Sequence, residues 1–262
     1  MEHGYSITRA CKLINLSKSL YYYKSIKDDS AVIEKLQLLA EKKPKEGQDK
    51  FYDRIRNEGI IWNYKRIRRV YKMLGMNKKV RKRKRITGRI KVPLAIPASE
   101  NDTWSMDFMH DVLMNGRKFR TLNIIDDYNR EALAVDAYYS IGSKRVATVL
   151  DRIIRERGMP RMIRVDNGPE FISSILSDWC YEKGILLHFI QPGKPNQNSY
   201  IERFNRSYRQ DVLDVHLFEN LEQVRYYTDE FIEDYNLHRP HESLNSLSPI
   251  NYKLKKTGCE FS

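Results

Sequence analysis

The chain has 262 residues, 41% hydrophobic and 31% charged, which is enough for a domain-sized core plus a smaller module. It contains no apolar run of about 18 residues, so no membrane-spanning helix is expected, and its first residues lack the basic-then-apolar layout of a signal peptide. The three cysteines, Cys11, Cys180 and Cys259, are far apart, which argues against a disulfide framework or a zinc ribbon and fits a reducing, cytoplasmic setting.

The net charge of +13 is unevenly spread. Residues 1–92 carry 26 Lys+Arg against 9 Asp+Glu, whereas the remainder carries 21 against 25. A strongly basic front joined to a mildly acidic body points to a nucleic-acid-binding region attached to something else.

Residues 6–24 read as two short helices with a tight turn. Ala10, Leu13 and Ile14 form an apolar stripe, and Ser17 is placed to cap the second helix. A helix-turn-helix and a simple packed hairpin fit this pattern equally. Ser30 opens a helix with Ile33, Leu36, Leu39 and Ala40 on one face, and 51–58 is a short helical stretch. Asn63 caps a further helix carrying Ile67, Val70, Tyr71 and Leu74, with Gly75 placed to end it. Its other face shows Lys65, Arg66, Arg68, Arg69 and Lys72, which suits a helix lying along DNA. In residues 78–91 nine side chains are basic and none is acidic, so an extended linker is expected, with Lys82, Arg83, Lys84 and Arg85 on DNA phosphates. The implied organisation is a helical DNA-binding region at 1–77, a basic linker at 78–98 and a catalytic domain with a C-terminal helical extension at 99–262.

Strands are predicted at 104–114, 117–127 and 132–138, the first two joined across Asn115-Gly116, a strong hairpin signal. A helix from Ser143 to Gly158, a strand at 162–166, a helix at 170–183 and a strand at 185–189 follow. A helix at 199–215 should bury Ile201, Phe204, Tyr208, Val212 and Val215, with Glu202, Asn205, Arg206 and Arg209 on a neighbouring stripe. An antiparallel meander feeding α/β units gives a mixed sheet with helices packed on it, in the order of the ribonuclease H fold.

Three carboxylates stand out. Asp107 lies within a strand-like run, Asp166 ends another, and Glu202 follows 35 intervening residues later on a helix. Acids on three separate elements can hold two Mg²⁺ ions that clamp the attacking and leaving oxygens of a phosphodiester. Asp126 and Asp127 close a strand and are expected in a turn or in a salt bridge to Arg130. His238 and His241 lack a cysteine pair, so zinc is not expected.

The runs at 104–109 (Trp-Ser-Met-Asp-Phe-Met), 124–131 (Ile-Ile-Asp-Asp-Tyr-Asn-Arg-Glu), 165–171 (Val-Asp-Asn-Gly-Pro-Glu-Phe), 191–205 and 235–244 (Tyr-Asn-Leu-His-Arg-Pro-His-Glu-Ser-Leu), in this order, resemble the downstream-frame transposases of the insertion-sequence-three family. The resemblance implies an α/β ribonuclease H-like catalytic domain of the integrase type, preceded by an all-α helix-turn-helix region. It implies DNA cleavage and strand transfer with Asp107, Asp166 and Glu202 as ligands for Mg²⁺ or Mn²⁺, two ions in all. Arg209 stands seven residues beyond the glutamate, where relatives carry a basic side chain that holds DNA. Implied partners are the terminal inverted repeats, target DNA, further copies of the chain and an upstream-frame protein or fusion. Arg203 and the run Arg206-Ser207-Tyr208 depart from the family pattern without removing a carboxylate. A nuclease on the same fold and a catalytically silent DNA binder are the competing readings.

Overall fold

The computed structural model describes residues 6–24, 28–77, 97–191 and 195–258. Short helices α1 (Ile7–Leu13) and α2 (Lys18–Tyr21) come first, and Ser17 caps α2 by accepting from the Leu20 amide. The expected packed stripe is not formed, because Ala10, Leu13 and Ile14 are all exposed. A seven-residue helix burying only Cys11 has too little apolar surface to build a core of its own.

A separate helical core comes from α3 (Ser30–Lys42), α4 (Gln48–Asn57) and α5 (Tyr64–Met73). Val32, Leu36 and Leu39 pack with Phe51 and Ile55 and with Ile67, Val70 and Tyr71. Helix α4 starts three residues earlier than the sequence pattern indicates, after Gly47, with Asp49 favouring its first turn. Asn63 caps α5 by accepting from the Lys65 amide at 2.8 Å.

The second region is a mixed sheet of β1 (Thr103–Val112), β2 (Lys118–Asp126), β3 (Ala132–Tyr138), β4 (Met162–Val165) and β5 (Leu186–Phe189), in the order β3-β2-β1-β4-β5. β1, β2 and β3 are antiparallel, while β4 runs parallel to both β1 and β5. With α6 (Ser143–Arg157) and α7 (Ser174–Lys183) making the crossovers, this is the ribonuclease H-like α/β arrangement. Pro169 and the Ser173 cap delay α7 to Ser174, rather than the 170 expected. At the hairpin Gly116 takes φ of 80°, a conformation that suits glycine.

Side-chain alternation divides the core. Trp104, Met106, Leu122 and Ile124 face α6 and α7. Met109, Phe119, Ile125 and Val135 face α8 (Ser199–Tyr208) and α9 (Leu221–Leu237). The predicted helix 199–215 is not continuous, because α8 passes into a π-turn at Arg209–Leu213. Val215 consequently leaves the core and is 43% exposed. Asp126 and Asp127 do sit at a turn, but Asp127 pairs with buried Arg164 at 2.6 Å rather than with Arg130, and Asp126 accepts from the Asn101 and Tyr128 amides. Arg130 instead lies 3.5 Å over the Tyr200 ring. Helix α10 (Pro249–Thr257) closes the described chain, in which no helix is long and apolar enough to cross a membrane.

Candidate active site

In the antiparallel β1–β2 pair, Asp107 stands directly opposite Asn123. Because Met106 points toward α6 and α7, Asp107 must point the other way, toward α8. Helix α8 buries Ile201, Phe204 and Tyr208 by helical spacing, and that orientation also turns Asn205 inward. Asn205 bridges the two strand residues. Its Nδ2 donates to Asp107 Oδ2 at 2.7 Å, and its Oδ1 accepts from Asn123 Nδ2 at 2.7 Å. The Phe108 amide donates to Asp107 Oδ1 at 2.8 Å.

Asp166 follows the end of β4. The parallel register pairs Ser105 with Arg164, so continuing it by two residues sets Asp166 beside Asp107. The Gly168 amide donates to Asp166 Oδ1 at 3.0 Å, and a Cβ at Gly168 would come within 3.0 Å of that oxygen. A side chain there would press on the carboxylate, which would have to shift by a few tenths of an ångström. Asn167 turns away, donating to the Ile190 carbonyl at 3.0 Å. Glu202 lies exposed in the first turn of α8.

Burial pushes the Asp107 carboxyl up to about 6, and the negative charges of Asp166 and Glu202 push the same way. The hydrogen bonds from Phe108 and Asn205 only partly offset this. The Asp107 carboxylate is thus one whose charge burial and acidic neighbours disfavour, and a nearby divalent cation would relieve it. Among the described residues, no three acidic, histidine or cysteine side chains converge closely enough to hold one ion in this conformation. Asp107 is fixed within β1, Asp166 follows the end of β4, and the Glu202 side chain is exposed.

Removing the Asn205 amide should test the bridge. Asn205→Ala is expected to lower metal affinity or metal-dependent turnover by roughly 10–100-fold, since a group that orients a ligand commonly carries an effect of that size. It also deprives buried Asn123 of its acceptor, at a cost of about 1–3 kcal/mol. Mg²⁺ titration alongside thermal unfolding would check both, and an unchanged Mg²⁺ response would remove Asn205 from the site.

Two family models described as integrase core domain match residues 97–195 and 183–249. An uncharacterised 31.7 kDa protein of insertion element IS407 from Burkholderia multivorans is 38% identical over 94% of this chain and 90% of its own length. An uncharacterised 39.2 kDa protein of insertion element IS476 from Xanthomonas euvesicatoria is 36% identical over 96% of this chain and 74% of its own. The chain belongs to the insertion-element transposase family with an integrase core. Among solved structures, a magnesium complex of the HTLV-2 integrase catalytic core is 17% identical to this chain, covering 55% of it and 92% of that chain with a TM-score of 0.42.

The cations expected on DNA are placed less simply. Arg209 opens the π-turn, where it donates to the His110 carbonyl at 2.9 Å and lies 3.2 Å from Asp111 and 3.8 Å from Asp214. On α5, Arg66 and Arg69 converge on the Asp29 carboxylate at 3.0 and 2.7 Å, while Lys65, Arg68, Arg69 and Lys72 are exposed on that face. Lys82, Arg83, Lys84 and Arg85 lie outside the described residues. Asn123 was not singled out from the sequence. An uncharged amide inside the apolar run Leu122–Ile125 was the available signal for Asn123, because a buried amide needs a partner.

Proposed function

We propose that this chain is a DNA transposase that cleaves insertion-sequence ends and joins them to target DNA, with Asp107, Asp166 and Glu202 as the ligands of two Mg²⁺ or Mn²⁺ ions. When bound, those ions supply activation of an attacking water or DNA 3′-OH and neutralisation of charge at the phosphorus. Asn205, braced by Asn123, orients the Asp107 carboxylate, and Gly168 lets the backbone fix Asp166. Arg209 exchanges its contacts with Asp111 and Asp214 for a DNA phosphate. Lys65, Arg66, Arg68 and Arg69 on α5 and Lys82, Arg83, Lys84 and Arg85 neutralise backbone phosphates without reading bases. In this reading residues 1–77 bind DNA, 78–98 link and 99–262 catalyse. Terminal inverted repeats and target DNA are the substrates, several copies of the chain assemble on them, and an upstream-frame protein or fusion is a further partner.

The observation that carries the reading is Asp107, held by an amide relay and raised in pKa first by burial and then by the charges of Asp166 and Glu202. A protein that only bound DNA would gain nothing from setting repelling carboxylates beside phosphates. The test is cleavage and joining of labelled DNA from both flanks of the gene, with Mg²⁺ or Mn²⁺, for wild type and Asp166→Asn. Joined products from wild type, and none from Asp166→Asn despite retained DNA binding, are expected. Cuts without joining would make the chain a nuclease, and joining by Asp166→Asn would exclude Asp166 from the mechanism.

A further inference from the structure

The run Tyr235–Leu244 was conspicuous in the sequence, yet none of its residues belongs to the carboxylate site. Its location explains it. Tyr235 packs against Phe204 of α8 with ring centroids 4.9 Å apart, and His241 packs against Tyr235 at 4.8 Å. Asn236 locks α9 to the start of β3, accepting from the Ala132 amide at 2.8 Å and donating to its carbonyl at 2.9 Å. The run therefore backs the helix that carries Glu202.

The same run receives the helical module. Asn57 of α4 donates to the Ser246 carbonyl at 3.0 Å. Beside it, Arg54 of α4 forms forked contacts on two sides. It donates to Glu46 at 2.7 and 2.8 Å and to Asp234 of α9 at 2.9 Å through each of two nitrogens. Lys43 also lies 2.9 Å from Asp234. Glu46, whose side chain is 1% exposed, stands 3.3 Å from Arg239, and Arg239 bonds Asp211 within the π-turn. Arg239 further reaches Ser207 in the last turn of α8 at 3.5 Å.

We propose that the α3–α5 module is a positioning element for α8, acting through the buried relay Asp234–Arg54–Glu46–Arg239–Asp211. A π-turn is rare and intrinsically unfavourable, so it persists only where surrounding contacts fix it. Here the contact is a charge pair from Arg239, itself held by the module's Glu46. The π-turn ends α8 and begins with Arg209, so its geometry sets where Glu202 and Arg209 stand relative to Asp107 and Asp166. Arg239 and Glu46 touch neither substrate nor metal, and they act through Asp211. The catalytic part of this inference rests on the function proposed above, whereas the structural part does not.

The experiment uses the full chain with Asp211→Asn, which removes the charge on the π-turn while Arg239 keeps Glu46, and with Glu46→Gln, which acts from the module side. Amide hydrogen exchange and DNA-joining kinetics are measured together. For both variants, exchange at residues 207–213 should accelerate at least about tenfold while α6 and α7 stay protected. The maximal joining rate should fall about tenfold, and Asp211→Glu should restore part of it. If Glu46→Gln loosens only α3–α5 and leaves residues 207–213 as in wild type, the relay is overturned. Normal joining in both variants overturns it as well. If wild type fails to join DNA at all, the functional reading fails, and the exchange result still decides the relay.

Discussion

Asp107→Asn is expected to abolish metal-dependent strand joining while making the metal-free protein more stable at neutral pH. The catalytic loss should be at least about 10³-fold, or roughly 4 kcal/mol, because a neutral amide gives up one of the anionic donors of the proposed metal set. The stability gain follows from the same repulsion. In the folded chain, burial and the charges of Asp166 and Glu202 raise the Asp107 carboxyl to about 6. Its neutral form is therefore the one folding favours. That advantage is fully present below the unfolded value near 4, is lost as pH rises through about 6, and becomes a standing penalty above it. A shift of this size corresponds to roughly 2–3 kcal/mol. The amide also fits the relay. If Asn205 and Asn123 both flip, Asn205 Oδ1 accepts from the new amide and Asn205 Nδ2 donates to Asn123 Oδ1, so the bridge persists with its polarity reversed. Thermal unfolding in chelator should show the variant more stable at pH 7.5 and equal to wild type near pH 4. Mg²⁺ should stabilise wild type and leave the variant unchanged. A variant less stable than wild type at pH 7.5 would mean that the Asp107 charge is satisfied by the protein alone. Asp126 and Asp127 are also raised to about 6, chiefly by burial, so the variant should retain part of the wild-type loss of stability between pH 4 and 6.

The sheet and its helices were legible because alternation, the Asn-Gly hairpin and helical spacing are local signals that tertiary packing here reinforces. The three carboxylates were legible as separate positions within one strand, past the end of another and on a helix. What holds Asp107 in place was not. The bridge through Asn205 depends on Asp107 and Asn123 being opposite each other, and that register is a property of the strand pair rather than of either strand. The π-turn was hidden for a similar reason. Val212 and Val215 continue the apolar spacing of α8, so the sequence reads as one helix, while the ion pair that fixes the irregular turn comes from Arg239, 28 residues beyond Asp211. The basic face of α5 was legible in composition only, since Asp29 partners two of its arginines from another helix. The exposed stripe of α1 shows the converse. Periodicity identifies an apolar face but not whether anything covers it.

Arg54→Leu is expected to destabilise the protein by about 3–5 kcal/mol, the usual cost of breaking a buried ion pair from one side. Arg54 is 6% exposed and Glu46 only 1%, so water cannot replace the lost guanidinium. Burial alone would raise Glu46 and Asp234, and Arg54 more than reverses this, holding both carboxyls below their ordinary range. Without it, the buried carboxylates become the problem. The loss should not be additive with removal of the partner. In Arg54→Leu with Glu46→Leu, Asp234 keeps Lys43 at 2.9 Å, Arg239 keeps Asp211 and Lys50 keeps the charge of Asp211 nearby, so the double variant should recover at least about half of the single-variant cost. Chemical denaturation of wild type, both single variants and the double variant supplies the cycle. A single-variant cost under about 1 kcal/mol would mean that the module separates from α9 at little expense, contrary to the dry, forked geometry of Arg54. A double variant as unstable as the sum of the two would instead place the energy in packing around the leucines rather than in the pairing of charges.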